Sequence, residues 1–223
     1  MSLLPPKIAK ESFKKINVPD ELYSMIMLEY KNMSFSEIVD NAQYDSVWSI
    51  DTVGGISNTG AKKPYYFLNS LSTELYDECF RTLTPILEEW SGVELEKTWG
   101  YGIRSYPKNS ILHLHRDRYD THIISCIIFV DDSANEKWPL DFFDHEFNHH
   151  KVSFDHQEML MYESLCVHGR ITPFSGNYYR NMYFHWKPKQ WDAEKYKSLK
   201  TTFRDVNDFL SFYGKCTHQN LST

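Results

Sequence analysis

The chain has 223 residues, a formal net charge of −6 at pH 7, and 41% hydrophobic and 16% aromatic residues. This length predicts one domain with room for flanking helices. The acidic balance, without any long run of Lys or Arg, excludes a global attraction to phosphate backbones, so we expect no nucleic-acid partner. No apolar stretch approaches the ~20 residues of a membrane span, and the start lacks the apolar region of a secretory signal, so we expect a cytoplasmic protein with no membrane partner.

Residues 1–94 are predicted to form helices and loops. Apolar positions between Leu22 and Tyr30 have helical spacing and follow a capping region at Asp20. A second helix is predicted from residue 72 to about 90, with Pro85 expected to kink it or to start a new turn. Gly, Ser, Asn and Pro punctuate the segment 53–63 between these helices, which predicts a loop and a candidate lid.

From about residue 95 the apolar period changes from helical to two. Short β-branched or aromatic runs, separated by turn signals, predict strands at 97–106, 110–115, 122–130, 140–143, 151–154, 159–162, 167–172 and 178–186. Such a series, with no helical pattern inside it, favours a closed or double-sheet antiparallel architecture such as a jelly roll.

The segment after Pro188 returns to helical spacing. Gly214 suits the position after a helix end, and the spaced apolar residues before it are Phe203, Val206, Leu210 and Tyr213. We therefore predict a mainly β chain with flanking helices, forming a single domain over 1–223. Its parts are a helical and loop N-terminal region (1–94), a jelly-roll core (95–188) and a helical C-terminal extension (189–223).

Four cysteines are scattered along the chain without a C-x-x-C pair: Cys79, Cys126, Cys166 and Cys216. This distribution argues against a thiolate zinc site. We interpret the cysteines as reduced thiols, mostly in the core, as is typical of a reducing compartment. A nucleophilic cysteine is the alternative, and no general spacing rule identifies one.

The densest chemical pattern is His115-Arg116-Asp117. Residues i and i+2 of a strand share a face, so His115 and Asp117 can meet one cation. His168 begins a later strand, and two His with one carboxylate form the facial triad of non-haem Fe(II) oxygenases, which leaves open positions at the metal. A structural, hydrogen-bonded role is the alternative for a His on a strand. Histidines in or near the turn-rich segment 144–151 are interpreted as mostly solvated: His145, His149, His150 and His156.

Further motif segments accompany this triad along the chain, at 119–125, 159–164, 168–170, Pro173, Gly176 and 178–181. Through them, from about 98 to 188, the chain resembles the Fe(II)/2-oxoglutarate-dependent oxygenases, and among them the prolyl-4-hydroxylase-like group. The resemblance implies a double-stranded β-helix core and Fe(II) held by His115, Asp117 and His168. It also implies 2-oxoglutarate as a chelating co-substrate and ascorbate as an accessory reductant.

One position departs from the prolyl-4-hydroxylase pattern. Where those enzymes carry a lysine for the distal carboxylate of 2-oxoglutarate, this chain has Tyr178. Arg180, on the same strand, is the first candidate to replace it and Arg170 the second, because a guanidinium can make two parallel hydrogen bonds to a carboxylate. An ordinary surface ion pair is the alternative for both. The resemblance also implies a helper hydroxyl at Tyr106, for which core packing is the alternative.

The implied function is a dioxygenase that hydroxylates a C–H bond while 2-oxoglutarate is decarboxylated to succinate. The substrate would be a small molecule or a peptide, with a prolyl or another amino-acid side chain as the target. The alternative is a cupin-like or lectin-like binding module with a degenerate metal site, since His113-Leu114-His115 resembles the H-x-H of cupins. The glutamate expected after that motif is absent, and Asp117 and Asp120 occur instead. A third interpretation is a structural or interaction protein.

Overall fold

The computed structural model of the protein describes residues 4–35, 48–50 and 67–220. The elements of the N-terminal region are β1 (Phe13–Asn17), α1 (Asp20–Asn32), β2 (Trp48–Ile50), β3 (Phe67–Asn69) and α2 (Thr73–Ser91). The core follows with β4 (Leu95–Pro107), β5 (Ser110–His115), β6 (Ile124–Asp132), β7 (Leu140–Phe143), β8 (His149–Val152), β9 (Glu158–Glu163), β10 (His168–Arg170) and β11 (Tyr178–Pro188). The chain continues through a 3-10 turn (Ala193–Tyr196), β12 (Thr202–Phe203) and α3 (Val206–Asn220).

The strands form two sheets. The first has the order β1-β9-β6-β11-β4-β3, and the second has the order β12-β5-β10-β7-β8, with β2 pairing in parallel beside β5. The core strands β4 to β11 are thus divided equally between two antiparallel layers, with sequential neighbours often in opposite sheets. This arrangement is a double-stranded β-helix, and it confirms the predicted jelly-roll core.

Two clusters of buried side chains explain how the layers hold together. One packs α1 and α2 against the outer face of the first sheet, and the other fills the space between the two sheets. Along β11, Met182 and Phe184 belong to the outer cluster, whereas Tyr179 and Tyr183 belong to the inner one. This alternation is the ordinary pattern of a strand buried on both faces.

Helix α2 shows clear end signals. The side chain of Ser72 accepts a hydrogen bond from the Leu75 backbone N–H, and Gly92 ends the helix with a φ of 72°, a left-handed conformation that glycine adopts easily. Pro85 lies inside the helix, which continues to Ser91, so no new helix starts there. Within the described ranges, no helix is both long and apolar enough to cross a membrane.

The structure corrects the prediction for the two flanking regions. The N-terminal region contains the short strands β1, β2 and β3 in addition to helices, and Phe203 lies in β12 rather than in the C-terminal helix. Helix α3 continues past Gly214, so this glycine does not mark its end. Strands of two to five residues are too short to show a period in the sequence. The candidate lid at 53–63 lies outside the described residues.

Candidate metal centre

Strand pairing brings the three predicted ligands together. His115 ends β5, His168 begins β10, and the antiparallel register places these two residues directly opposite each other. Asp117 follows β5 and is fixed by its backbone N–H, which donates to the Ser164 carbonyl at 2.9 Å. One ligand atom from each of the three residues lies within 4.8 Å of the others, and all three side chains are buried.

The hydrogen bonds of the two imidazoles determine which nitrogen faces the centre. Nδ1 of His115 contacts the His113 carbonyl at 2.7 Å, and Nδ1 of His168 contacts the Cys166 carbonyl at 2.9 Å. Because a carbonyl only accepts, each Nδ1 carries a proton, and in the neutral ring the lone pair is then at Nε2. These Nε2 atoms lie 3.5 and 3.9 Å from Oδ1 of Asp117. Three lone-pair donors therefore face one another in a buried space, an arrangement that a cation would stabilise.

The pKa values favour the same protonation states. Burial lowers the pKa of His168 to about 4, and the neighbouring His115 acts in the same direction. Burial acts to raise the pKa of Asp117, but the surrounding imidazoles of His115, His168 and His185 more than offset it, so this pKa lies well below its ordinary value. At neutral pH the site thus presents a neutral imidazole at His168 and a carboxylate at Asp117, the forms that bind metal.

The second carboxylate oxygen of Asp117 faces other side chains. The Tyr162 hydroxyl donates to Oδ2 at 3.4 Å, and Nδ1 of His185 lies 3.9 Å from the same oxygen. His185 is in turn held by the Ser125 hydroxyl at 2.6 Å. Neither Tyr162 nor His185 was predicted from the sequence as a site residue. The signal available for both was their position on the inner face of predicted strands, where a polar side chain is unusual.

A small cavity surrounds the three predicted ligands. Its volume is about 20 Å³, which is room for a water-sized group. Beside those ligands, the cavity is lined by Tyr101, Arg104, Leu112, Arg118, His122, Leu140, Tyr162, Tyr183 and His185. The place of Arg104 in the cavity follows from the structure alone.

Arg180 does not line this cavity. Its guanidinium donates to the Ser105 hydroxyl at 3.1 Å and to the Tyr30 hydroxyl at 2.6 Å, on the side of the sheet covered by α1. Tyr30 passes a hydrogen bond on to Asp131 at 2.6 Å, so the charge of Arg180 lies close to a carboxylate. This placement, on the face of the sheet that α1 covers, argues against Arg180, which was the first candidate from its position on the strand.

Arg170 does not line the cavity either, but its guanidinium points into the space between the sheets. It is fully buried, with its guanidinium 4.6 Å from the Trp138 ring and 4.5 Å from the Tyr179 ring. It donates to the Trp138 carbonyl and, at 2.9 Å, to the Tyr179 hydroxyl. These partners are uncharged, and within the described residues Nε of Arg170 has no hydrogen-bond partner.

Tyr106 is also buried between the sheets, and its hydroxyl lies 3.0 Å from that of Tyr183, which lines the cavity. The tyrosine predicted as a helper is therefore one hydrogen bond away from the candidate centre.

The histidines of the turn-rich segment differ from the prediction. Only 5% of the His145 side chain is exposed, and its Nε2 lies 3.1 Å from the buried Glu163 carboxylate. His149 lies 2.9 Å from Asp141, and His150 lies 2.8 Å from Asp144. The solvated interpretation is therefore wrong for His145 and incomplete for His149 and His150. His156 is exposed, as predicted.

Comparison with known proteins shows the fold. No protein-family model and no curated protein sequence matches the chain. Among solved structures, AviO1 from Streptomyces viridochromogenes Tue57 is 12% identical, with 83% of this chain and 94% of that chain covered and a TM-score of 0.56. HygX from Streptomyces hygroscopicus, with nickel, 2-oxoglutarate and hygromycin B bound, is 12% identical over 81% of this chain and 84% of its own, with a TM-score of 0.53.

A prolyl hydroxylase from Trichoplax adhaerens, in complex with a peptide fragment of the hypoxia inducible factor oxygen degradation domain, is also similar. It is 12% identical over 79% of this chain and 84% of its own, with a TM-score of 0.52. The chain thus shares the double-stranded β-helix fold of the 2-oxoglutarate/Fe(II) oxygenases.

Proposed function

We propose that the protein is an Fe(II)- and 2-oxoglutarate-dependent dioxygenase that hydroxylates a C–H bond. The observation that carries this proposal is the convergence of two imidazole lone pairs and one carboxylate oxygen, from His115, His168 and Asp117, in a buried cavity. Bound Fe(II) and 2-oxoglutarate would supply the activation of O₂, with decarboxylation of 2-oxoglutarate to succinate. Ascorbate would serve as an accessory reductant.

Arg170 is the residue that we assign to the distal carboxylate of 2-oxoglutarate. A buried guanidinium with only uncharged partners is costly, and a ligand carboxylate would compensate its charge through strong, parallel hydrogen bonds. Arg170 lies two residues beyond His168 on β10, on the inner side of the barrel. Tyr106 contacts Trp138, the ring beside Arg170, and its hydroxyl contacts Tyr183, which lines the cavity. From this position it would orient the co-substrate.

The cavity must enlarge for this role. About 20 Å³ accommodates one water-sized group, so 2-oxoglutarate can enter only when lining side chains move. The walls of the barrel would also keep water away from the reacting C–H bond. The substrate is a small molecule or a peptide side chain, including a prolyl residue, and the whole span 1–223 would act as one oxygenase domain.

The cupin-like alternative predicts a different set of ligands. In that pattern His113 would bind metal beside His115, whereas the cluster of ligand atoms in the structure contains Asp117 and His168 with His115. His113 contributes its backbone carbonyl to the His115 ring instead. This difference favours the oxygenase over a non-catalytic binding module.

The test is iron-dependent conversion of 2-oxoglutarate to succinate by the purified chain, measured with and without Fe(II). We expect His115→Ala and Asp117→Ala to abolish this turnover while circular dichroism shows an intact fold. His156→Ala, at an exposed histidine away from the cavity, is the matched control and should keep full turnover. Turnover at the wild-type level in both ligand variants would exclude the assigned triad.

A further inference from the structure

The described lining of the cavity contains two arginines. Arg104 and Arg118 both line it, while Asp117, the candidate metal ligand, is the only acidic residue among its described lining residues. Arg118 is at the surface, with 58% of its side chain exposed, and is paired with Asp120 at 2.9 Å. Arg104 is only 6% exposed, so its guanidinium is an interior feature of the cavity.

Two aromatic rings hold the guanidinium of Arg104. It lies 4.3 Å from the Tyr101 ring centroid and 4.9 Å from the Tyr183 ring centroid. Both rings also line the cavity. Stacking on aromatic faces restricts a planar guanidinium to one orientation, so little conformational entropy remains to be lost when an anion binds.

An exposed tryptophan lies beside these rings. Trp99 precedes Tyr101 by two residues on β4, its ring centroid is 6.2 Å from that of Tyr101, and it is 55% exposed. The other exposed large apolar residues of the described chain are not among the lining residues: Leu28, Leu68, Ile171 and Leu210. An exposed indole next to a cavity mouth offers a flat apolar surface on which a ring can stack.

We propose that the substrate is a ring-containing carboxylate, whose carboxylate pairs with Arg104 and whose ring stacks on Tyr101 and Trp99. This inference rests on the proposed oxygenase function and specifies its substrate class. It assigns Arg104 to the substrate and Arg170 to the co-substrate, so that two buried guanidinium groups serve two different carboxylates. A carboxylate at Arg104 fixes one end of the molecule, and the ring fixes its direction relative to His115 and His168.

The experiment uses the full chain with Zn(II) and saturating 2-oxoglutarate, so that the co-substrate site is filled and no turnover occurs. The probes are 3-phenylpropanoate and its uncharged amide, 3-phenylpropanamide, titrated by calorimetry. We expect the acid to bind about 10-fold more tightly than the amide, the difference typical of one charge-assisted hydrogen-bonded pair. Equal affinity for the two probes, or no binding of the acid, would overturn the inference.

Variants then identify the residue that binds the carboxylate. Arg104→Gln should remove the preference for the acid, and Arg104→Lys should retain part of it, because the charge remains but the planar fork is lost. Arg81→Gln, at an exposed arginine on α2 away from the cavity, is the matched control and should keep the preference. Trp99→Ala should weaken both probes equally. If the preference persists in Arg104→Gln, the assignment is wrong. If Arg104→Gln does not fold, Arg104→Lys replaces it as the test. A preference for the acid as large as in wild type would then show that the assignment is wrong, and a reduced preference would support it.

The affinity for 2-oxoglutarate distinguishes a failure of the proposed substrate class from a failure of the proposed oxygenase function. It is measured first, with Zn(II) in wild type and in Arg104→Gln, and should be the same in both. If Zn(II) and 2-oxoglutarate bind but the acid does not, only the substrate class is refuted. If neither binds, the oxygenase function itself is refuted. A loss of 2-oxoglutarate binding in Arg104→Gln would mean that Arg104 binds the co-substrate and would overturn the inference.

Discussion

The Tyr162 hydroxyl donates to Oδ2 of Asp117 at 3.4 Å. The other oxygen of the same carboxylate, Oδ1, faces Nε2 of His115 at 3.5 Å. The two oxygens therefore have different surroundings, one beside the candidate ligands and one beside a protein donor on β9. Burial raises the pKa of Tyr162 well above its ordinary value, and the charge of Asp117 acts in the same direction, so this hydroxyl keeps its proton.

We predict that Tyr162→Phe lowers the affinity for metal. The ring would remain in the core, but the carboxylate of Asp117 would lose the donor that restrains its rotation. Removing a hydrogen bond that a neighbouring side chain donates to a metal ligand typically lowers the affinity for metal by about 10-fold. The measurement is a competition titration with Ni(II) and a chromophoric chelator. Tyr76→Phe, on α2 and outside the cavity, is the control, and an unchanged affinity in Tyr162→Phe would show that the hydroxyl has no such role.

The second prediction compares the two candidate arginines for 2-oxoglutarate. Arg170→Gln should weaken 2-oxoglutarate binding by about 10-fold to 100-fold, the loss expected for hydrogen bonds to a charged group. Arg180→Gln should leave this affinity unchanged, because Arg180 contacts Tyr30 and Ser105 on the face of the sheet that α1 covers. Calorimetry of the Zn(II)-loaded variants measures both. The opposite order would restore Arg180 to the co-substrate site.

The candidate ligands could be predicted from the sequence because they depend on simple rules. His115 and Asp117 are two residues apart at a strand end, and His168 was recognised through the resemblance of the segments around it. The convergence then needed only that β5 and β10 pair in register, as they do.

The direction of Arg180 could not be predicted in this way. Arg180 has the parity of Met182 and Phe184, which face the helices, whereas Tyr179 and Tyr183 face the inside of the barrel. Because β11 is apolar on both faces, the sequence did not show which parity points inward. The edge strands β1 and β3 were missed for a different reason, since their pairing with β9 and β4 is set by tertiary contacts rather than by local pattern.

The third prediction concerns Arg116, which lies between His115 at the end of β5 and Asp117. Its buried guanidinium donates to the carbonyls of Leu165 at 2.8 Å and Lys200 at 2.6 Å and to the Tyr213 hydroxyl on α3. These hydrogen bonds connect the C-terminal extension to the segment that carries the candidate ligands His115 and Asp117. Arg116→Met would leave buried acceptors without donors, so we expect a loss of about 2–4 kcal/mol in the free energy of unfolding.

Urea unfolding of the metal-free protein measures this loss. The control is Arg81→Met, because Arg81 is an exposed partner of Glu78 on α2 and its removal should change stability by no more than about 0.5 kcal/mol. If both substitutions cost the same, the C-terminal extension does not brace this part of the core.

The last prediction concerns the thiols. Cys79, Cys126 and Cys166 are buried and free, in agreement with their interpretation as core thiols. Burial raises the pKa of Cys79 to about 12 and places those of Cys126 and Cys166 well above the ordinary value. Since the thiolate is the reactive form, and each unit of pKa removes tenfold of it, native Cys79 should react about 1000-fold more slowly than an exposed thiol at pH 8.

Peptide mapping after iodoacetamide treatment measures these rates residue by residue. All three cysteines should be protected in the native protein and labelled rapidly in guanidinium chloride, because unfolding removes the burial that raises their pKa values. Rapid native labelling of Cys166 would be the most informative exception. Its carbonyl accepts the hydrogen bond from Nδ1 of His168, so an accessible Cys166 would mean that the strand holding this candidate ligand opens in solution.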